Sequence, residues 1–249
     1  MIWIGSEKVL AIEIKNLSKN YRDIEAVKSL NLKIEEGELF SLLGVNGAGK
    51  TTTIKMLSGL ILPTSGEIKI LGKDLESNKY EIKSFLNISP QETAIAPNLT
   101  VRENLEFMAG IYKIKNKKEK IDELVKLFKL ESVLNRYTKN LSGGWQRKLS
   151  LAISLINEPK ILFLDEPTLG LDVISRKELW HILDNLKGKI TIILTTHYME
   201  EAEYLSDRIA IMNNGKLVTV SSCKEILKST KTKKLEDAFI KLVGGSVCE

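Results

Sequence analysis

The sequence predicts an α/β fold with a mostly parallel central sheet, an N-terminal antiparallel β part and a helical insertion subdomain. Three observations carry that expectation. Residues 39–43 and 161–164 are strand-length runs without regular polar alternation, as in strands covered on both faces. Residues 10–14 and 27–34 alternate apolar and polar, the pattern of half-buried antiparallel strands. From residue 100 apolar positions recur at helical spacing, and an alternating β/α order resumes near residue 161.

A chain of 249 residues with 43% hydrophobic content can bury a proper core, and we read it as one domain over 1–249. The net charge of +5 is modest. Its Lys-rich stretches, 113–120 and 228–234, read as solvated faces, and charge alone does not choose between membrane and nucleic acid. Two cysteines, Cys223 and Cys248, give no disulfide framework and fit a reducing compartment. No apolar run approaches the ~18 residues needed to cross a bilayer, and residues 1–10 carry charges where a signal peptide needs an apolar core. Any membrane role is expected to run through a partner.

In chain order, Glu36-Gly37-Glu38 turns the second antiparallel strand into the buried run 39–43. Tyr21 is expected on the loop joining the first two strands. Gly44-Val45-Asn46-Gly47-Ala48-Gly49-Lys50-Thr51-Thr52 then follows, with a helical pattern over 51–57. This is the P-loop pattern in its strand-loop-helix context, which makes the fold class a P-loop NTPase. Its glycines let backbone N–H groups turn inward around phosphates, and the helix points its positive dipole end at the same anion. Lys50 would reach the β- and γ-phosphates, and Thr51 would place its hydroxyl on Mg²⁺.

Beyond the P-loop, 63–66 reads as a turn, 67–70 as a short strand, and 86–89 as a strand ending at Pro90-Gln91. Thr100 with Glu103 forms a capping box before Leu105, Met108 and Ile111. Ile121, Leu124, Val125 and Phe128 form the stripe of a second helix over 118–130. We place the helical subdomain within about 92–158. Ser142 is an apt N-cap for the helix after Leu141-Ser142-Gly143-Gly144, which runs to about residue 157. Asp165-Glu166 emerges from the apolar run 161–164. A helix over 174–186, a strand over 190–194, a helix over 199–205 and strands near 209–212 and 216–220 follow, with a short helical tail over 221–249. Asp165 at a strand end would supply a carboxylate opposite Thr51 for Mg²⁺. Glu166, expected to point elsewhere because successive strand residues alternate, could polarise an attacking water.

A P-loop, then Leu-Ser-Gly-Gly, then an apolar strand ending in Asp165-Glu166 resembles the nucleotide-binding subunit of ABC transporters, over nearly the whole chain. Gln91 resembles the Q-loop glutamine, Leu169-Gly170-Leu171-Asp172 the D-loop, His197 the switch histidine and Tyr21 the aromatic that stacks on adenine. The resemblance implies an ATPase with Glu166, His197 and Lys50 catalytic and with Thr51, Gln91 and Asp165 on Mg²⁺. It implies that Ser142, Gly143, Gly144 and Asp172 serve the ATP of a second nucleotide-binding subunit, paired head to tail as a homodimer or with a similar chain. A separate transmembrane permease subunit would hold the substrate, placing this chain in the cytoplasm, peripheral on the inner face of the cell membrane. Its docking surface is expected around Gln91 and residues 98–112, with Arg102 and Glu103 as contact charges.

Two positions depart from the family pattern: Trp145 stands where many members have Gln, and Leu169 replaces a smaller D-loop residue. Residues 98–105 and 235–239 look like the drug, lipid or polysaccharide export branch. The alternative is a soluble ABC-type ATPase acting on a protein assembly or nucleic acid; the branches with two nucleotide domains or long insertions do not match, which leaves a compact single-domain assembly ATPase, and nucleic acid is not an expected partner.

Overall fold

The computed structural model describes residues 9–244. The chain opens with two long antiparallel strands, β1 (Leu10–Tyr21) and β2 (Ile24–Glu35), and turns into β3 (Leu39–Leu43), the P-loop and α1 (Lys50–Leu57). Next come β4 (Ser65–Ile70), β5 (Lys73–Asp74), α2 (Lys79–Ser84) and β6 (Leu86–Ser89). Helices α3 (Val101–Ile111), α4 (Lys117–Leu127) and α5 (Gly143–Ser154) follow. The last part is β7 (Ile161–Asp165), α6 (Val173–Leu186), β8 (Thr191–Thr196), α7 (Met199–Leu205), the hairpin β9 (Arg208–Asn213) with β10 (Lys216–Ser221), and α8 (Cys223–Thr230) and α9 (Leu235–Val243).

Two sheets result. One is antiparallel, in the order β2-β1-β4-β5, and the other runs β10-β9-β3-β8-β7-β6 with only β10 antiparallel to its neighbour. Why 161–164 is apolar throughout is now visible. Ile161 and Phe163 pack on α1 and the antiparallel sheet, while Leu162 and Leu164 pack on α5 and α6. Successive strand residues face opposite sides, so a strand between two cores needs an apolar residue at every step. The parallel register sets Leu43 beside Thr196, and Asp165 beside Thr195, which brings the segments leaving β3, β7 and β8 to one edge.

Several local expectations change. The first two strands extend to the hairpin at Arg22-Asp23, so Tyr21 is the last residue of β1, paired with Ile24, and not a loop residue. The short elements β5 and α2 carry no periodic signal. Leu75, just past β5, and Ile82 of α2 are held by burial in the core between the sheets. Cys223 is a free thiol, while Cys248 and the end of the expected tail lie outside the described residues.

The capping box at α3 is present. Glu103 N–H donates to Thr100 Oγ1 at 3.2 Å, and Thr100 N–H donates to Glu103 Oε2 at 2.7 Å. These bonds from Thr100 hold the Glu103 carboxyl below its usual range. Thr100→Ala is expected to destabilise the protein by about 1 kcal/mol, read as a fall of roughly 2–4 °C in thermal midpoint. An unchanged midpoint would show that packing alone fixes the start of α3.

Candidate functional site

The P-loop wraps the start of α1 because its glycines permit close backbone approach. A Cβ on Gly49 would meet Ala26 O at 2.5 Å, and its φ of 97° lies in the left-handed region. At Gly44 a Cβ would meet Met212 O at the same distance. The loop therefore lies tight against β2 and β9 and borders a cleft of about 810 Å³.

One half of the cleft is a compact charged cluster. Lys50 is 5% exposed, and its Nζ donates to Gly44 O at 2.8 Å and Val45 O at 3.2 Å. The same Nζ lies 3.4 Å from Glu166 Oε1, while Glu166 Oε2 is 2.5 Å from His197 Nδ1. Glu166 thus sits between a lysine and a histidine, buried to 7% exposure. A buried carboxylate needs such partners to offset its lost hydration.

A second set of bonds ties this cluster to β7 and β8. Asp165 Oδ1 accepts from Thr51 Oγ1 at 2.9 Å and from Thr195 Oγ1 at 2.6 Å. Thr195 Oγ1 in turn accepts from Glu166 N–H at 3.0 Å. One fully buried hydroxyl therefore positions both acidic residues. Glu166 lies beyond the strand end with φ of 50°, so a left-handed turn, not strand alternation, separates its carboxylate from that of Asp165. For a non-glycine residue that conformation costs about 1 kcal/mol, and the bonds from its N–H to Thr195 hold it in place.

Asn46, Gly47, Ala48, Gly49, Thr51 and Thr52 line the cleft along the P-loop, whereas Gly44 and Val45 lie behind it and hold Lys50. Gln91 lines it from just past the end of β6, and Tyr21 from the end of β1. Tyr21 is 45% exposed, with Lys19 Nζ 5.2 Å from its ring centroid. Glu25, Ala26, Lys28, Asn214 and Gly215 also line the cleft, none of them legible as site residues in a motif.

Ser142, Gly143, Gly144 and Asp172 form a separate cluster outside the cleft. A Cβ on Gly144 would lie 3.0 Å from Ser175 Oγ, so the start of α5 abuts the start of α6. Ser142 occupies the N-cap position, but its side chain makes no capping bond, contrary to expectation; backbone geometry alone starts α5. Asp172 does cap its helix. Its Oδ1 accepts from the Ile174 and Ser175 N–H groups at 3.0 Å, and the Ser175 bonds lower its pKa. Trp145 packs within its own chain under Lys148, whose Nζ is 4.6 Å from the ring centroid and pairs with Glu178 at 2.6 Å. Leu169, 41% exposed, lines the cleft.

This architecture can be compared with known proteins. A model of the family described as ABC transporter matches residues 27–169, more than half the chain. The chain belongs to the ABC transporter family. Across 247 residues it is 39% identical to the "Probable multidrug ABC transporter ATP-binding protein YbhF" of Escherichia coli (strain K12), covering 96% of this chain. That alignment takes in 43% of the relative, so this ABC chain spans less than half its length. It is also 36% identical over 223 residues to the "Daunorubicin resistance ATP-binding protein DrrA3" of Streptomyces coeruleorubidus, covering 88% of this chain and 71% of that one. Among solved structures, a dimeric post-hydrolysis state of the ATP-binding cassette MJ0796 bound to ADP and Pi superposes with a TM-score of 0.77 at 28% identity. It covers 85% of this chain and 98% of that one. The ABC fold here is that of an ATP-binding cassette, and no described helix is long and apolar enough to cross a membrane.

Proposed function

We propose that this chain is the ATP-binding subunit of an ABC transporter. It binds and hydrolyses ATP at a head-to-tail interface between two copies, and so drives export through separate transmembrane subunits. The observation that carries this reading is the meeting of Lys50, the Thr51–Asp165 pair, Glu166 and His197 at one sheet edge.

In this reading the N–H groups of the P-loop and the first turn of α1 cradle the phosphates, and Lys50 exchanges its carbonyl partners for β- and γ-phosphate oxygens. Thr51 and Asp165 offer adjacent hard oxygen donors, and Gln91 lines the same cleft from just past β6, the strand next to that of Asp165. Among the described residues no group of three or more His, Cys, Asp or Glu could cage a metal. That donor set suits Mg²⁺, which keeps waters and phosphate oxygens among its ligands and neutralises developing charge when bound. Glu166 accepts the proton of the attacking water, and His197, held by Glu166, orients that water toward the γ-phosphate. Ser142, Gly143, Gly144 and Asp172 face the ATP of the second copy. The site clusters and the names of the relatives support this arrangement.

Tyr21 stacks on the nucleotide base. Tyr21→Ala is expected to weaken ATP binding by about 1–3 kcal/mol and Tyr21→Phe to be nearly neutral, measured by titration calorimetry. Equal loss in both variants would assign the effect to the hydroxyl.

The permease is expected on α3, where Phe107 and Ile111 are 57% and 55% exposed. Glu103 is a poor probe of that surface, because its carboxylate caps α3 and reversing it would remove the capping bond. Phe107→Asp with Ile111→Asp is the cleaner test. It should abolish copurification with a membrane protein in gentle detergent while leaving ATP binding intact. Undiminished copurification would move docking elsewhere, and recovery of a soluble assembly in place of any membrane protein would favour a non-transport ATPase.

A further inference from the structure

Strands β6 and β7 run parallel, with Ser89 beside Leu164, and both leave the sheet at the cleft. Just beyond that rung the chain carries Pro90 and Gln91 on one side, and Asp165, Glu166 and Pro167 on the other. Proline has no N–H, so Pro90 cannot donate a next rung, and carbonyls at the strand ends need another donor. Arg147 supplies it. From the second turn of α5 it donates through Nε to Pro167 O at 2.7 Å, and through Nη1 to Pro90 O at 2.6 Å and Gln91 O at 3.3 Å. Its Nη2 donates to Asp165 O at 3.0 Å.

Arg147 is 4% exposed and all four acceptors of its guanidinium are backbone carbonyls. Burial pushes its pKa down to about 10, with nearby Asp165 and Glu201 acting in the opposite direction, so it is a cation at neutral pH. A planar fork with five fixed donors can satisfy carbonyls from two strand ends at once; a lysine ammonium on a flexible stem cannot do so in the same plane. Arg147 lies four residues beyond Gly143, about 6 Å along the helix axis, so displacement of its head moves the start of α5 as a rigid piece.

We propose that Arg147 is a positioning residue that locks the Gln91 loop, the Asp165–Pro167 segment and the start of α5 into one moving unit. Nucleotide at a copy's own P-loop thereby sets the position of its Ser142–Gly144 segment. The inference rests on the reading above, in which that segment meets the second copy's ATP. It assigns the coupling to a residue that touches no nucleotide.

The test uses the full chain, its Arg147→Lys variant, and both in a Glu166→Gln background, with fluorescent mant-ATP and Mg²⁺ as probe. Arg147→Lys should bind mant-ATP within about twofold of the parent, yet lose at least tenfold in kcat. In the Glu166→Gln background it should weaken ATP-driven dimerisation at least tenfold. Hydrogen exchange is then read at a dilution where size exclusion shows monomers, so that no partner touches the α5 start. There, Mg-ATP should change exchange in residues 90–92 and 142–147 together in the parent, and only in 90–92 in the variant. A purely structural role would lower the melting temperature without splitting kcat from affinity or separating the two segments. Parent-level kcat with unaltered dimerisation overturns the proposal, as does independent exchange of the two segments in the parent, a reading that stands even if the variant does not fold. A parent chain that binds no mant-ATP would instead sink the nucleotide-binding reading, and the coupling with it.

Discussion

Glu166→Gln is expected to cut steady-state ATP hydrolysis by about 10²- to 10⁴-fold, the range for losing a positioned general base. The replacement is nearly isosteric, and its amide can still reach His197, whose Nδ1 is 2.5 Å from Glu166 Oε2. What disappears is the charge that would accept a proton. Binding should survive, because removing a carboxylate 3.4 Å from Lys50 Nζ frees that cation for phosphate and does not oppose it. ATP-bound dimers should therefore accumulate, visible as an ATP-dependent shift in size exclusion, while phosphate release slows by the same factor as hydrolysis. Hydrolysis at the parent rate would remove Glu166 from the role of base.

Lys50→Ala should act one step earlier, on affinity. In the protein as described, the Lys50 ammonium is held by Gly44 O, Val45 O and Glu166. It is therefore already desolvated and placed, and phosphate oxygens need only replace those partners. Hydrogen bonds to charged groups contribute about 1.5–3 kcal/mol, so the loss should be roughly 10- to 150-fold in Kd for Mg-ATP. Calorimetry returning the parent Kd would contradict a phosphate contact. The two variants separate cleanly: one keeps the ligand and loses the reaction, the other loses the ligand.

Much of the architecture was legible because burial demands leave periodic marks. The apolar runs 39–43 and 161–164 became strands buried on both faces, and the alternating runs became the antiparallel pair β1 and β2. The P-loop was legible for a different reason: its spacing satisfies local backbone needs at Gly47 and Gly49, both at positive φ. By contrast α2 was invisible, since a six-residue helix with one buried residue, Ile82, offers no period to detect.

At the site, the order of motifs identified residue types but not how they are held. Thr195 reads as one more β-branched residue in an apolar strand, yet its hydroxyl bonds both Asp165 Oδ1 and the Glu166 N–H. Arg147 reads as one charge in a Gln-Arg-Lys run, yet it is buried among carbonyls from two strand ends. No local pattern could reveal these partners, which lie 18 to 57 positions away for Arg147 and about 30 for Thr195.

By itself, the sequence determined the fold class, the strand-loop-helix context of the P-loop pattern and the place of Asp165-Glu166 at the end of a buried strand, because strand periodicity and loop glycines are local demands written within a few neighbouring residues. Only the tertiary structure decided that Glu166 leaves its strand through a left-handed turn, that Tyr21 ends a strand, and that Ser142 makes no side-chain cap. The Glu166 turn rests on hydrogen bonds from its N–H to Thr195, 29 positions away in the chain. Such contacts form only once β7 and β8 have paired.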